Sequence, residues 1–163
     1  MSDEADSFGE WVRPWWAAMA RTARLSVGGD EWEDVLQSAL GLAWRRRATF
    51  DATRGTPRTW LLTLVVDQSR KHRRARMFRP APARLSEITL TGPAGNLAGT
   101  DIDLERAVAK LSLRQRQTVT LFYFMDLPVA EVARVLGCSV GTVKSTLSDA
   151  RSRLRITLDG VPK

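Results

Sequence analysis

Arg70, Lys71, Arg73, Arg74 and Arg76 crowd into two helical turns, with no carboxylate among them after Asp67. Such a run can be a solvated helix face, but like charges this close repel unless an anion lies opposite. With so little acid to compensate, the run points to a nucleic-acid backbone. A second constellation lies further on. Ala133, Gly137-Cys-Ser139 and Val140-Gly-Thr-Val-Lys144 fit two helices that cross closely at a tight turn, the second opening on a serine, which is the helix-turn-helix arrangement. The exposed face near the start of that second helix, with Gly141, Thr142, Lys144, Ser145 and Ser148, could enter a major groove.

Catalysis finds less to work with. The carboxylates fall on caps, on a Pro/Gly segment and on the N-terminal face rather than converging with the lone His72, so the expectation is a protein that is not an enzyme. His72 reads as one more member of the basic surface. One Cys and one His fall short of the roughly four ligands of a structural zinc site, and Cys138 has no partner for a disulfide or a redox pair. No metal or cofactor is expected.

The elements that must position these residues follow from composition and period. The chain has 163 residues, 25 Lys+Arg against 18 Asp+Glu, a net charge of +7 and 44% hydrophobic residues. That excludes disorder throughout and a collagen-like chain, and leaves room for one ordinary domain or two small ones. No apolar run approaches the roughly 18 residues of a membrane span, and the first residues are acidic, unlike a signal peptide. A cytoplasmic protein without direct membrane insertion is expected. Charge alternates along the chain: net −5 over 1–44, +10 over 45–84, −4 over 85–105 and +6 over 106–163. From Arg79 to Gly99 there are three Pro, three Gly and no helical period, the composition of a linker. All six Trp precede it, and Trp11, Trp15 and Trp32 read as packing residues.

The first part reads as helices. Phe8, Trp11, Val12, Trp15 and Met19 share one helical face, bent at Pro14, and Gly28-Gly29 ends that helix. Asp30 with Glu33 predicts a capping box for a second helix, striped by Trp32, Val35, Leu36, Ala39, Leu40, Ala43 and Trp44 to about Arg47. Asp51 to Gly55 is a turn. Thr56 and Pro57 open a third helix with Trp60, Leu61, Leu64 and Val65 inside. Beyond the linker come a short helix over 104–111 and a helix capped by Ser112 and Gln115 that runs to about Phe124. Another has Pro128 in its first turn and Gly137 at its end. The last is capped by Ser139 and striped by Val140, Val143, Leu147, Ala150 and Leu154.

Glu33-Asp-Val-Leu-Gln37, Phe50 to Trp60-Leu-Leu62 ending in a basic run, a Pro/Gly linker, Leu113-Arg-Gln-Arg-Gln117 and Val129 to Ser145 together resemble an extracytoplasmic-function (group 4) sigma factor of the sigma-70 family. The likeness extends over about Phe8 to Leu158. It implies an all-α fold of two small helical domains joined by a flexible linker: a sigma-2-like bundle over 1–79, a linker over 80–103 and a sigma-4-like helix-turn-helix domain over 104–163.

The resemblance also implies roles. Asp34 and Gln37, with Trp44 and Arg45 a few turns later, match positions that dock on the clamp coiled coil of the RNA polymerase core; the flap is the second implied contact. Phe50, Arg54, Arg58 and Trp60 match the region that reads and opens the minus-10 element. Aromatics and arginines suit that task, because an unstacked base needs another surface while its phosphates are held by cations. Trp60 competes for this role with a place in the core. Arg70, Lys71, Arg73 and Arg74 would hold the upstream duplex. Ser139, Gly141, Thr142, Lys144, Ser145, Ser148 and Arg151 would face the minus-35 element. An anti-sigma factor is a further expected partner.

The chain departs from the family pattern in two places. It has Val143-Lys-Ser-Thr-Leu-Ser-Asp149 where relatives continue with more basic residues. Thr146 and Ser148 forgo charge and Asp149 adds the wrong sign, so a weaker or more selective minus-35 interaction is expected, with Arg151, Arg153 and Arg155 compensating in part. Arg70-Lys71 also replaces the apolar-Asp pair that the family carries there. The competing reading is a stand-alone helix-turn-helix transcription regulator, which leaves the first part of the chain without a task.

Overall fold

The computed structural model describes residues 2–78 and 102–160. Every regular element among the described residues is helical. Helix α1 (Ser2–Val12) passes through a 3-10 turn at Arg13–Trp15 into α2 (Trp16–Val27). Pro14 sets that turn, since it has no N–H to give the helix ladder. Phe8, Trp11, Val12, Trp15 and Met19 nevertheless keep one apolar face against the first core. Gly28 and Gly29, both at positive φ, end α2.

Helix α3 (Glu31–Arg46) starts without the expected capping box. Asp30 has helical backbone angles and its carboxylate caps nothing. The first-turn acid with a visible partner is Glu31, whose carboxylate accepts from His72 Nε2 at 3.0 Å and Arg76 at 2.7 Å on the next helix. His72 is therefore a half-buried hydrogen-bond partner of Glu31 between helices and not simply another residue of the basic surface. A 3-10 turn at Arg47–Thr49 follows. Helix α4 (Pro57–Met77) opens as expected: Thr56 caps the Thr59 amide and Pro57 occupies the first turn.

The second part comprises α5 (Ile102–Ala109), α6 (Leu113–Val119), a π turn at Thr120–Phe124, α7 (Val129–Leu136) and α8 (Val140–Asp159). The linker expected over 80–103 lies outside the described residues except for its last two positions, which already belong to α5. Ser112 and Gln115 form the full capping box. Pro128 is the N-cap residue of α7 and not part of its first turn. Gly137 adopts the left-handed conformation that closes α7, and Ser139 caps the Thr142 amide to open α8. Val143, Leu147 and Ala150 are buried and Leu154 packs beside them, but Val140 is 40% exposed and drops out of the expected stripe. As the first helical residue it precedes the turn that faces α7.

The two parts share their packing. One core joins α1, α2, α3 and the Leu61, Leu64 and Val65 side of α4. The other fills α5 to α8 and takes in Leu62 and Val66, also from α4. The junction is partly polar. Gln117 is fully buried, its Nε2 donates one long bond of 3.5 Å to the Val66 carbonyl, and its Oε1 has no partner among the described residues. Arg116, 9% exposed, donates to the Ala109 carbonyl while its Nε goes unpaired. Burial lowers the pKa of Arg116, and the charge of Arg73 across the junction lowers it further.

Two substitutions separate these contributions. Leu61→Ala opens the first core and costs about 2–5 kcal/mol. Gln117→Leu keeps the volume and removes an amide that is poorly satisfied, so it costs less than about 1 kcal/mol or stabilises. Urea denaturation of the full chain reads both, and equal losses from the two would show that the Gln117 amide is essential to the junction.

Candidate nucleic-acid interface

Helix α8 presents the face expected of a recognition helix. Ser139, Gly141, Lys144, Ser145, Ser148 and Arg151 are exposed, and Thr142 is half-buried with its hydroxyl 2.8 Å from that of Ser139. Gly141 keeps the first turn low, with only Ser139 Oγ near the place of a Cβ. Thr146 lies on the opposite side, buried at 9% exposure against the core. The absence of charge there therefore does not weaken the exposed face, contrary to the sequence-based expectation. The departure reduces to Ser148 and Asp149, both exposed. Arg151 is held by a residue that sequence reasoning passed over: its Nε donates to the Tyr123 hydroxyl at 2.5 Å, and its guanidinium lies 5.6 Å from the ring centroid. Tyr123 sits in a run of aromatics that reads as core, and only its partial exposure distinguishes it.

The residues matched to minus-10 DNA divide into two groups. Phe50 and Trp60 are half-buried and stack edge to face with Trp11, at 5.5 and 6.0 Å between centroids, and lie 5.7 Å from each other. They form an aromatic nest between α1, α4 and the loop joining α3 to α4. An open cleft beside it is lined by Asp3, Glu4, Phe8, Trp11, Arg47 and Phe50. Arg54, Lys71, Arg73 and Arg74 are exposed. Arg58 and Arg70 are half-buried and engaged at the junction: Arg58 donates to the Met125 carbonyl at 2.5 Å and Arg70 to the Leu136 carbonyl at 3.1 Å. Between them Thr59 Oγ1 donates to Glu131 at 3.2 Å.

The positions matched to polymerase lie along α3. Asp34 and Gln37 are exposed on one side, and Arg45 reaches back over Gly41, its guanidinium 3.5 Å from where a Cβ would stand. Trp44 is half-buried, edge-on to Phe8 and covered by the Arg47 guanidinium at 3.8 Å. Among the described residues no cluster of His, Cys, Asp and Glu could hold a metal ion, and no helix is long and apolar enough to cross a membrane.

The chain matches the models of two protein families, Sigma-70 region 2 over residues 6–79 and Sigma-70 region 4 over residues 101–154. It is 31% identical over 140 residues to the ECF RNA polymerase sigma factor SigK of Mycobacterium ulcerans, an alignment covering 78% of this chain and 72% of the relative. It is 30% identical over 139 residues to the ECF RNA polymerase sigma factor SigL of Mycobacterium tuberculosis, covering 83% and 78%. Among solved structures it resembles the sigma factor RpoE of Bartonella quintana in complex with the anti-sigma factor NepR, with a TM-score of 0.74, 26% identity and coverage of 96% of this chain and 99% of that one. It also resembles CnrH in complex with the cytosolic domain of CnrY, with a TM-score of 0.71, 26% identity and coverage of 97% and 91%.

The loop behind the aromatic nest is pinned by Asp51, whose carboxylate accepts from the Thr53 hydroxyl at 2.6 Å and the Thr53 amide at 2.9 Å. These bonds, the hydroxyl's first, hold the Asp51 pKa below the usual carboxylate value. A lowered folded pKa stabilises the loop fully above the unfolded value and loses that effect as pH falls through the folded one, so neutral pH leaves the loop unchanged. Thr53→Val should raise the Asp51 pKa toward the ordinary value in an NMR titration of the carboxyl. An unchanged pKa would show that Thr53 does not hold the loop.

Proposed function

The chain belongs to the extracytoplasmic-function sigma factors of the sigma-70 family, and we propose that it binds core RNA polymerase and directs promoter-specific initiation through its two helical modules. The first module, residues 1–79, contacts polymerase through Asp34, Gln37, Trp44 and Arg45. It opens the minus-10 element with Phe50, Arg54, Arg58 and Trp60, while Arg70, Lys71, Arg73 and Arg74 hold the duplex backbone. The segment over 80–103 links it to the module over 104–163, which reads the minus-35 element with Ser139, Gly141, Thr142, Lys144, Ser145, Ser148 and Arg151.

The observation that carries this reading is the presence of both modules in one chain: a capped recognition helix with an exposed polar face, and a separate bundle that carries aromatics and a basic helix. A stand-alone helix-turn-helix regulator needs only the first of these. The protein supplies recognition and strand opening, carries no catalytic chemistry of its own and works in the cytoplasm. Its similarity to sigma factors solved with NepR and CnrY supports an anti-sigma partner for this chain as well.

Run-off transcription over fragmented genomic DNA, with core polymerase and this chain, tests core binding, opening and specificity together. Defined start sites that need both components are expected, and failure to bind core overturns the reading. In the same assay Asp149→Arg replaces a repelling charge on the recognition face with an attracting one. It should strengthen dependence on the minus-35 element and steepen the log–log salt slope by about 0.9 for one added phosphate contact. No change would mean that the face is turned elsewhere.

A further inference from the structure

Lys144, Ser148, Arg151 and Arg155 follow one another down the exposed side of α8 at spacings of four, three and four residues. Residues so spaced share one helix face. With Ser148 and Asp149 lacking positive charge, Lys144 and Arg151 are the two cations among the minus-35 residues proposed above. An arginine on an exposed helix loses side-chain entropy when it binds a phosphate, and pre-setting its geometry removes part of that cost.

The structure supplies the pre-setting from a different element. Tyr123 lies in the π turn between α6 and α7, 46% exposed, packed edge-on against Phe122 at 4.9 Å between centroids. The turn is wide: the Met125 amide reaches back five residues to the Thr120 carbonyl at 2.9 Å. Such turns are rare in helices and recur at functional positions, because the extra residue re-aims the side chains around it. Here Leu121 goes fully inward while Tyr123 faces out. Its hydroxyl accepts a hydrogen bond from Arg151 Nε and its ring lies under the guanidinium. The remaining guanidinium N–H groups are left for another acceptor, and no carboxylate among the described residues pairs with Arg151.

We propose that Tyr123 is a positioning residue for minus-35 recognition, holding Arg151 by its Nε so that the terminal nitrogens meet a backbone phosphate. This rests on the reading of α8 as the minus-35 helix. Tyr123 touches no DNA in this role; it acts through Arg151.

The test uses holoenzyme assembled from core polymerase and the full chain. The probe is a promoter fragment recovered from the genomic run-off experiment with the unsubstituted protein, and binding is followed from 50 to 200 mM salt. Arg151→Ala removes one phosphate contact and should lower the salt slope by about 0.9. Tyr123→Phe keeps the ring and its packing on Phe122 and removes only the acceptor, so it should weaken binding about threefold. In the Arg151→Ala background Tyr123→Phe should have no further effect. A loss from Tyr123→Phe that is equal in both backgrounds, or none while Arg151→Ala weakens binding, overturns the proposal. Lys144→Ala separates the two levels: if it weakens binding and Arg151→Ala does not, only the Tyr123 proposal falls. If neither does, the helix-turn-helix reading falls with it.

Discussion

Helix α4 belongs to two cores at once, and the arrangement of the whole chain depends on that. Leu61-Leu-Thr-Leu-Val-Val66 covers too wide an arc of the helix to bury against one neighbour. Leu61, Leu64 and Val65 go to α2 and α3, and Leu62 and Val66 go to the second part of the chain. Burying a Leu or Val is worth about 1.5–3 kcal/mol, so these two residues hold the modules together with a force that local helix propensity does not supply. An unpaired buried polar group costs about 1–3 kcal/mol, and Gln117 and Arg116 both carry one here. The Arg58, Thr59 and Arg70 bonds to the second part add polar attraction across the same junction.

The charges at the junction follow the same logic. The Leu136 carbonyl belongs to the last turn of α7, where unpaired carbonyls and the helix dipole favour a cation. Arg70 takes that place, and Arg58 takes the carbonyl of Met125 just past the π turn. Both are among the cations proposed for the minus-10 region, and a guanidinium N–H given to a carbonyl is not available to a phosphate. Lys71 and Arg73 are not so engaged, Arg74 Nε donates at 3.5 Å to the Arg70 carbonyl of its own helix, and all three are exposed. On the proposed reading, Arg58 and Arg70 each give one N–H to backbone across the junction while the rest of the basic surface faces outward.

What could be read from the sequence, and what could not, divides along the range of the interactions. The caps at Thr56, Ser112 and Ser139, the bend at Pro14 and the left-handed Gly137 are decided within four residues, and each forms as its local chemistry dictates. The capping box at Asp30 fails because Asp30 takes helical backbone angles instead of the extended ones of a cap, and the acid of that turn that finds a partner is Glu31, paired with His72 and Arg76 some forty residues away. Thr146 looked like part of a basic face by alignment of residue types, but the 3.6-residue period turns it inward. The residues proposed for the minus-35 element were legible as an exposed helical face. The pairing of Tyr123 with Arg151 was not, since it depends on a π turn that shifts the register after α6. The engagement of Arg58 and Arg70 was equally hidden, because nothing local specifies how two modules pack.

The composition of the recognition face bears on why the chain needs two modules. On the proposed reading, the residues it turns to the groove are mostly hydroxyls and glycine, which can read base edges but neutralise no phosphate. Non-specific affinity for duplex comes almost wholly from phosphate neutralisation, and the residues proposed for this face bring two cations, Lys144 and Arg151, beside one acid, Asp149, with Arg153 and Arg155 further along the helix. A helix so made discriminates better than it holds. On the same reading, the basic surface of α4 holds without discriminating. Because the two properties sit on different modules, tight and selective binding requires both on one DNA at once, with the spacing between them imposed from outside the chain. A stand-alone regulator would need cation and base contact on the same helix-turn-helix. The separation of the two on the proposed reading suits a subunit of a larger polymerase.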